Sequence, residues 1–96
     1  LPLLRVVQTQ SETVVIVCDE ELVGKTFRKK GMKLEVKESF YKGKETSVDE
    51  CLCAIENATI ANLVGSIVKH AVKAGMINGE NVLSFQRVLH AQMVKM

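Results

Sequence analysis

The chain contains no apolar run approaching the ~18–20 residues that a membrane helix needs, so no membrane partner is expected. Aromatics are scarce: three Phe, one Tyr and no Trp. The core must therefore be built mostly from Val, Leu, Ile, Ala and Met. The start, Leu1-Pro2-Leu3-Leu4-Arg5, lacks the basic opening and long apolar stretch of a signal peptide, which makes a cytoplasmic location the default expectation. Three cysteines cannot complete a disulfide set. Cys51 and Cys53 would point roughly 200° apart on a helix and cannot easily hold one ion. With Cys18 and two distant histidines they offer no zinc spacing. No metal and no cofactor are expected, and the thiols read as small apolar side chains.

What is present fits one domain of 96 residues, long enough to bury a core without staples. Its charge is uneven. Residues 25–44 hold eight basic and two acidic side chains, a net +6, whereas the remaining residues hold five basic and nine acidic, a net −4. Such asymmetry bears on partners and not on fold.

Leu3 to Gln8 and the β-branched run Thr13 to Cys18 read as an antiparallel hairpin, the second strand covered on both faces. Asp19 with Glu20 and Glu21 suits the start of a short helix reaching Phe27. Met32 to Glu38 alternates as a half-buried strand, and Tyr41 to Lys44 as a turn. Ser47-Val48-Asp49-Glu50 is a capping box, opening a helix from Val48 to about Asn57 that buries Cys51 or Leu52 with Ile55. From Ile60 to Val72 apolar residues recur at three and four, ending at Gly75, a suitable left-handed cap. One helix capped by Thr59 is the preferred reading. The alternative makes Thr59 to Leu63 a strand and starts the helix near Gly65, which is costly inside a helix. Asn78-Gly79 is a turn signal. Val82 to Phe85 and Leu89 to Lys95 read as strands joined at Gln86-Arg87-Val88. On the last, His90, Gln92, Val94 and Met96 share one face. The sum is an α+β two-layer sandwich, with about five strands in an antiparallel or mixed sheet and about three helices on one face.

Gly24-Lys25-Thr26 looks like the end of a phosphate-binding loop, but that pattern needs a glycine where Asp19 stands. A catalytic Cys18–His90 pair is opposed by the three carboxylates following Cys18. The basic segment carries more. Lys25, Arg28, Lys29, Lys30, Lys33 and Lys42 suit phosphate contacts, and Tyr41 suits stacking on a base. No RNA-recognition signature accompanies them.

Cys18-Asp19-Glu20-Glu21-Leu22-Val23-Gly24-Lys25-Thr26-Phe27 resembles an archaeal family known as domain of unknown function 424. The resemblance continues at Phe40-Tyr41-Lys42-Gly43, Ala61-Asn62-Leu63-Val64-Gly65 and His90-Ala91-Gln92. It implies a small archaeal cytoplasmic α+β protein without an assigned activity, and brings no catalytic residues. It marks Asn62, Gly65, His90 and Gln92, and a polar pocket joining Asn62, His90 and Gln92 is one expectation. That Asn62 and His90 satisfy backbone groups at buried loop ends is the other. Arg87-Val88-Leu89 departs from the Gly-Val-Pro usual in the family, and Arg28-Lys29-Lys30-Gly31 from its acid-containing turn. The first functional expectation is a non-enzymatic module binding RNA or a ribonucleoprotein through residues 25–44. Small-molecule binding or catalysis at the polar pocket is the second. A protein-interaction subunit, a homodimer joined at an edge strand, is the third.

Overall fold

A computed structural model describes residues 1–95; Met96, placed by alternation on the face of His90, lies outside the described residues. β1 (Pro2–Gln8) and β2 (Thr13–Asp19) form the expected hairpin, in register from Pro2↔Asp19 to Gln8↔Thr13. The chain then makes a 3-10 turn at Glu20–Leu22 and a second hairpin, β3 (Thr26–Lys29) and β4 (Met32–Glu35). α1 (Glu38–Tyr41) and β5 (Lys44–Glu45) lead to α2 (Val48–Glu56). β6 (Ile60–Val64), α3 (Ile67–Lys73), β7 (Leu83–Phe85) and β8 (Val88–Val94) complete the chain.

Six strands form one mixed sheet in the order β5-β1-β2-β6-β8-β7, and β3-β4 stands apart as a two-stranded ribbon. Among the described residues the one parallel contact is β2 with β6; the other pairs are antiparallel. This is the α+β class expected; among the described residues the main sheet has six strands where about five were expected, and the ribbon adds two more. β2 lies inside the sheet, and its two parities feed two cores. Val15 and Val17 join Ala61, Leu63 and Ala91 against Cys51, Ile55, Ile67, Val68 and Ala71 of α2 and α3. Ile16, Cys18 and Val64 face the other way, against Leu34, Val36, Tyr41 and Phe85. A strand covered on both faces must be apolar at every position, which is why TVVIVC shows no alternation.

Local chemistry sets the boundaries. The Ser47 hydroxyl accepts from the Glu50 amide at 3.1 Å, as the capping box requires, while the Glu50 carboxylate takes the Thr46 hydroxyl. Gly75, at φ +77°, ends α3 with the paired bonds Gly75 N–H to Val72 O and Met76 N–H to Ala71 O.

Three expectations are corrected. Ile60–Val64 is a strand and α3 begins only at Ile67, so the break at Gly65 outweighs the helical period. Thr59 caps no helix; its hydroxyl accepts the Thr13 amide and donates to Glu12 Oε2, tying β6 to β2. The helix expected from Glu20 to Phe27 is a single 3-10 turn, and Thr26–Lys29 extends as β3, because Leu34 offers Phe27 an apolar cross-strand partner.

Candidate functional site

Two surfaces and one crevice hold the chemistry. The first surface is the β3–β4 ribbon. Its register sets Arg28 directly opposite Lys33 and Phe27 opposite Leu34. Phe27 and Leu34 pack into the second core, which leaves Arg28 and Lys33 outward. The turn is Lys30-Gly31, at φ +30° and +81°, the left-handed pair that tight hairpins need. Lys25, Arg28, Lys29, Lys30 and Lys33 are all exposed. Like charges directly opposite destabilise a strand pair. Lys33 relieves this through Glu35, with Nζ 2.9 Å from Oε1. Lys33, by bond and charge, then Lys37 and Arg28 hold the Glu35 carboxyl below its ordinary range. Six cations of the ribbon and its flanks thus share one paired acid.

Two expected members stand elsewhere. Lys42 follows α1 next to β5, at the far edge of the sheet, and pairs with Glu38 at 3.6 Å. Tyr41 cannot stack on a base: it is 4% exposed, and its hydroxyl donates to Asn62 Oδ1 at 2.8 Å. Burial raises its phenol to about 12. Phe40, 41% exposed, is the ring that reaches solvent. Phe40 and Ser39 are steadied by Arg5, whose guanidinium donates to both their carbonyls.

The second surface is the sheet face carrying Asn62, Gln92 and His90. Asn62 pairs in register with Gln92, and His90 sits opposite Val64, one row further along the same face. The three residues are neighbours, as the pocket expectation required. Yet Asn62 is engaged by Tyr41, and the His90 ring lies edge-on to Phe85 with centroids 6.3 Å apart. Burial holds the His90 imidazole below its ordinary range. Cys18 and His90 flank Val64 in one row, which places their Cα atoms roughly 9–10 Å apart by strand spacing. Burial first, then Asp19 and Glu21, pushes the Cys18 thiol up to about 12. No thiolate–imidazole pair forms there.

The crevice lies where β2 and β6, the parallel pair, reach their carboxyl ends. From β2 the chain turns toward the ribbon side; from β6 it turns to α3 on the opposite face. A cleft of about 290 Å³ opens between them, lined by Asp19, Leu22, Ser66, Lys69, Arg87 and Val88 among others. Asp19 does not cap a helix after β2. It reaches 47 residues along the chain, accepting the Ser66 amide at 2.8 Å and the Ser66 hydroxyl at 2.7 Å. Gly65 makes room: it holds φ +96°, and a Cβ there would meet Asp19 Oδ2 at 2.4 Å. Arg87 follows Gln86 in a two-residue turn at φ +73° and +53°, a conformation costing ~1–2 kcal/mol per non-glycine residue. Gln86 Oε1 accepts the Arg28 amide at 2.8 Å and moors the ribbon beside this turn. Sequence reasoning named Gly65 but missed Asp19, Lys69 and Arg87, because only the fold brings them together.

Among the described residues no group of His, Cys, Asp and Glu is placed to hold a metal ion, and no helix is long and apolar enough to cross a membrane. Fold and surface define a small α+β protein built on a mixed sheet, bearing a cationic ribbon beside a switch-point crevice. The chain belongs to the family described as protein of unknown function (DUF424), whose model matches residues 7–96. It is similar to an uncharacterized conserved protein from the archaeon Methanopyrus kandleri, known from a crystal structure. The two share 26% identity and a TM-score of 0.78, over 99% of this chain and 93% of that one. No curated protein matches the chain.

Proposed function

We propose that the chain is a non-enzymatic, cytoplasmic module that binds RNA or a ribonucleoprotein through the β3–β4 ribbon. One observation carries the reading. Lys25, Arg28, Lys29, Lys30, Lys33 and Lys37 stand on or beside one exposed two-stranded element, and a single carboxylate there, Glu35, is paired. Arg28 and Lys33 stand directly opposite each other, a like-charge pair that the Lys33–Glu35 bridge offsets only on the Lys33 side. A solvated ribbon gains nothing from that arrangement, whereas a phosphate backbone does. The binding surface is the ribbon with Arg87 beside it; Lys42 and Tyr41 take no part.

Fluorescence anisotropy with a labelled single-stranded RNA tests this. Five neutralised phosphates give a log–log salt slope of about −3.5. Reversal of Arg28, Lys29 and Lys30 to Glu is expected to abolish binding while leaving the far-ultraviolet circular dichroism unchanged. Binding that ignores salt, or that survives the triple reversal, removes the proposal.

A second reading rests on the sheet edge. β5 pairs with β1 only at Leu3 and Leu4, so the outer edge of Arg5–Gln8 has no strand partner among the described residues. That edge suits a second copy of the chain, and the molar mass in solution, by light scattering, decides it: a dimer supports it and a monomer at high concentration excludes it.

A further inference from the structure

The crevice at the ends of β2 and β6 holds charges of both signs that do not meet. Asp19, Lys69 and Arg87 line it, yet none forms an ion pair with another within 4.0 Å among the described residues. Folding did not use them to neutralise one another, so the charges of Lys69 and Arg87 remain available to a ligand. Asp19 is fixed by Ser66, but each carboxylate oxygen has a second lone pair. Two adjacent acceptors of one rigid carboxylate match two neighbouring hydroxyls. Lys69 and Arg87, from α3 and the β7–β8 turn, match a phosphate. Leu22 and Val88 supply an apolar wall for a ring. The cleft, about 290 Å³, is at the small end of ligand sites and fits one nucleotide, not two. Its position is the crevice outside parallel strand ends whose chains leave to opposite faces, the place where open sheets bind ligands. Glu20 and Glu21 follow Asp19 on the exposed 3-10 turn and weigh against a polyphosphate.

We infer that this crevice binds a ribonucleotide bearing one 5′-phosphate and a free 2′,3′-diol, with the phosphate on Lys69 and Arg87 and the diol donating to Asp19. Two molecules present that chemistry: a free nucleoside monophosphate and the 3′-terminal nucleotide of an RNA chain. The inference rests on the RNA reading only for the second source, since the cleft lies beside the ribbon and not on its tip.

The test uses the full chain and four probes: adenosine 5′-monophosphate, its 2′,3′-dideoxy form, inorganic phosphate, and one RNA sequence in linear and circular form. Titration calorimetry is expected to show the monophosphate bound at least tenfold more tightly than the dideoxy form or phosphate. Lys69→Ala and Arg87→Gly are each expected to weaken it at least tenfold. Arg87→Gly places glycine at φ +73° and therefore folds at least as well as the parent, so its loss cannot be blamed on instability. If the monophosphate is silent but linear RNA outbinds circular RNA tenfold, lost on Arg87→Gly, the occupant is the chain end. Reversal of Arg28, Lys29 and Lys30 separates the two proposals, because it removes the ribbon and leaves monophosphate binding intact. Equal binding of the dideoxy form, indifference to Arg87→Gly, or silence toward the monophosphate together with equal affinity for linear and circular RNA overturns the inference.

Discussion

Gly65→Ala probes the junction that builds the crevice. The added Cβ would lie 2.4 Å from Asp19 Oδ2 and 3.0 Å from Leu22 Cδ1, at φ +96°. Two costs can be separated. Holding a non-glycine residue at positive φ costs ~1–2 kcal/mol. Driving off the carboxylate removes its bonds to Ser66, worth ~1–2 kcal/mol on the scale of a lost helix cap. The total is about 2–4 kcal/mol, which in a domain of this length lowers Tm by roughly 10–30 °C. Thermal unfolding followed by circular dichroism measures it, with urea titration giving the free energy. The decisive comparison is the double-mutant cycle with Asp19→Ala. Without the carboxylate the new methyl has space, and only the backbone cost remains. A coupling of ~1–2 kcal/mol is expected between the two positions. If Gly65→Ala costs the same in both backgrounds, or costs under ~1 kcal/mol in the parent, the junction is not held as described.

Arg28→Glu sets an acid opposite Lys33; the ribbon should gain ~0.2–1 kcal/mol from the cross-strand pair while RNA affinity falls, a split that urea melts and anisotropy read side by side. Ile55→Ala, in the core between α2 and the sheet, should cost ~2–5 kcal/mol. Thiol titration with Ellman's reagent at neutral pH should find one reactive cysteine, the exposed Cys53, until denaturant opens Cys18 and Cys51, whose burial raises them to about 12 and about 11. His90, lowered by burial, takes up its proton less readily folded than unfolded. Its contribution is complete above the unfolded value of ~6.5 and is lost as pH falls below it. Urea midpoints at about pH 5 and about pH 7.5 should therefore differ less in His90→Leu than in the parent.

Elements whose signal is local were legible. The β1–β2 hairpin, the Ser47 cap and the Gly75 stop each rest on residues close in sequence, and all three stand where the sequence put them. Ile60–Val64 was misread because a strand buried on both faces loses its alternation. Its apolar residues then ran on into those of α3 at spacings of three and four. Gly65 was the true boundary, and its reason was distant: the carboxylate of Asp19, at the end of β2, needs the space. The cations of residues 25–37 were visible as charge, and the hairpin gathers them. Tyr41 looked like an exposed ring because basic residues surround it in sequence; its contact with Asn62 is made through the fold. Arg87 and Lys69 belonged to no local pattern at all. That His90 and Gln92 share a face followed from alternation; Asn62 joined them only through the family resemblance, because its strand was read as helix, and whether a cleft opened there followed from neither.

Backbone-amide NMR of the labelled chain, titrated at moderate salt with a short circular single-stranded RNA that has no 3′ end to enter the crevice, tests the central proposal most directly. Perturbed amides confined to Lys25–Lys37 and the Gln86-Arg87 turn are the expected result. Shifts centred on α2 and α3, or no shifts at all, contradict it.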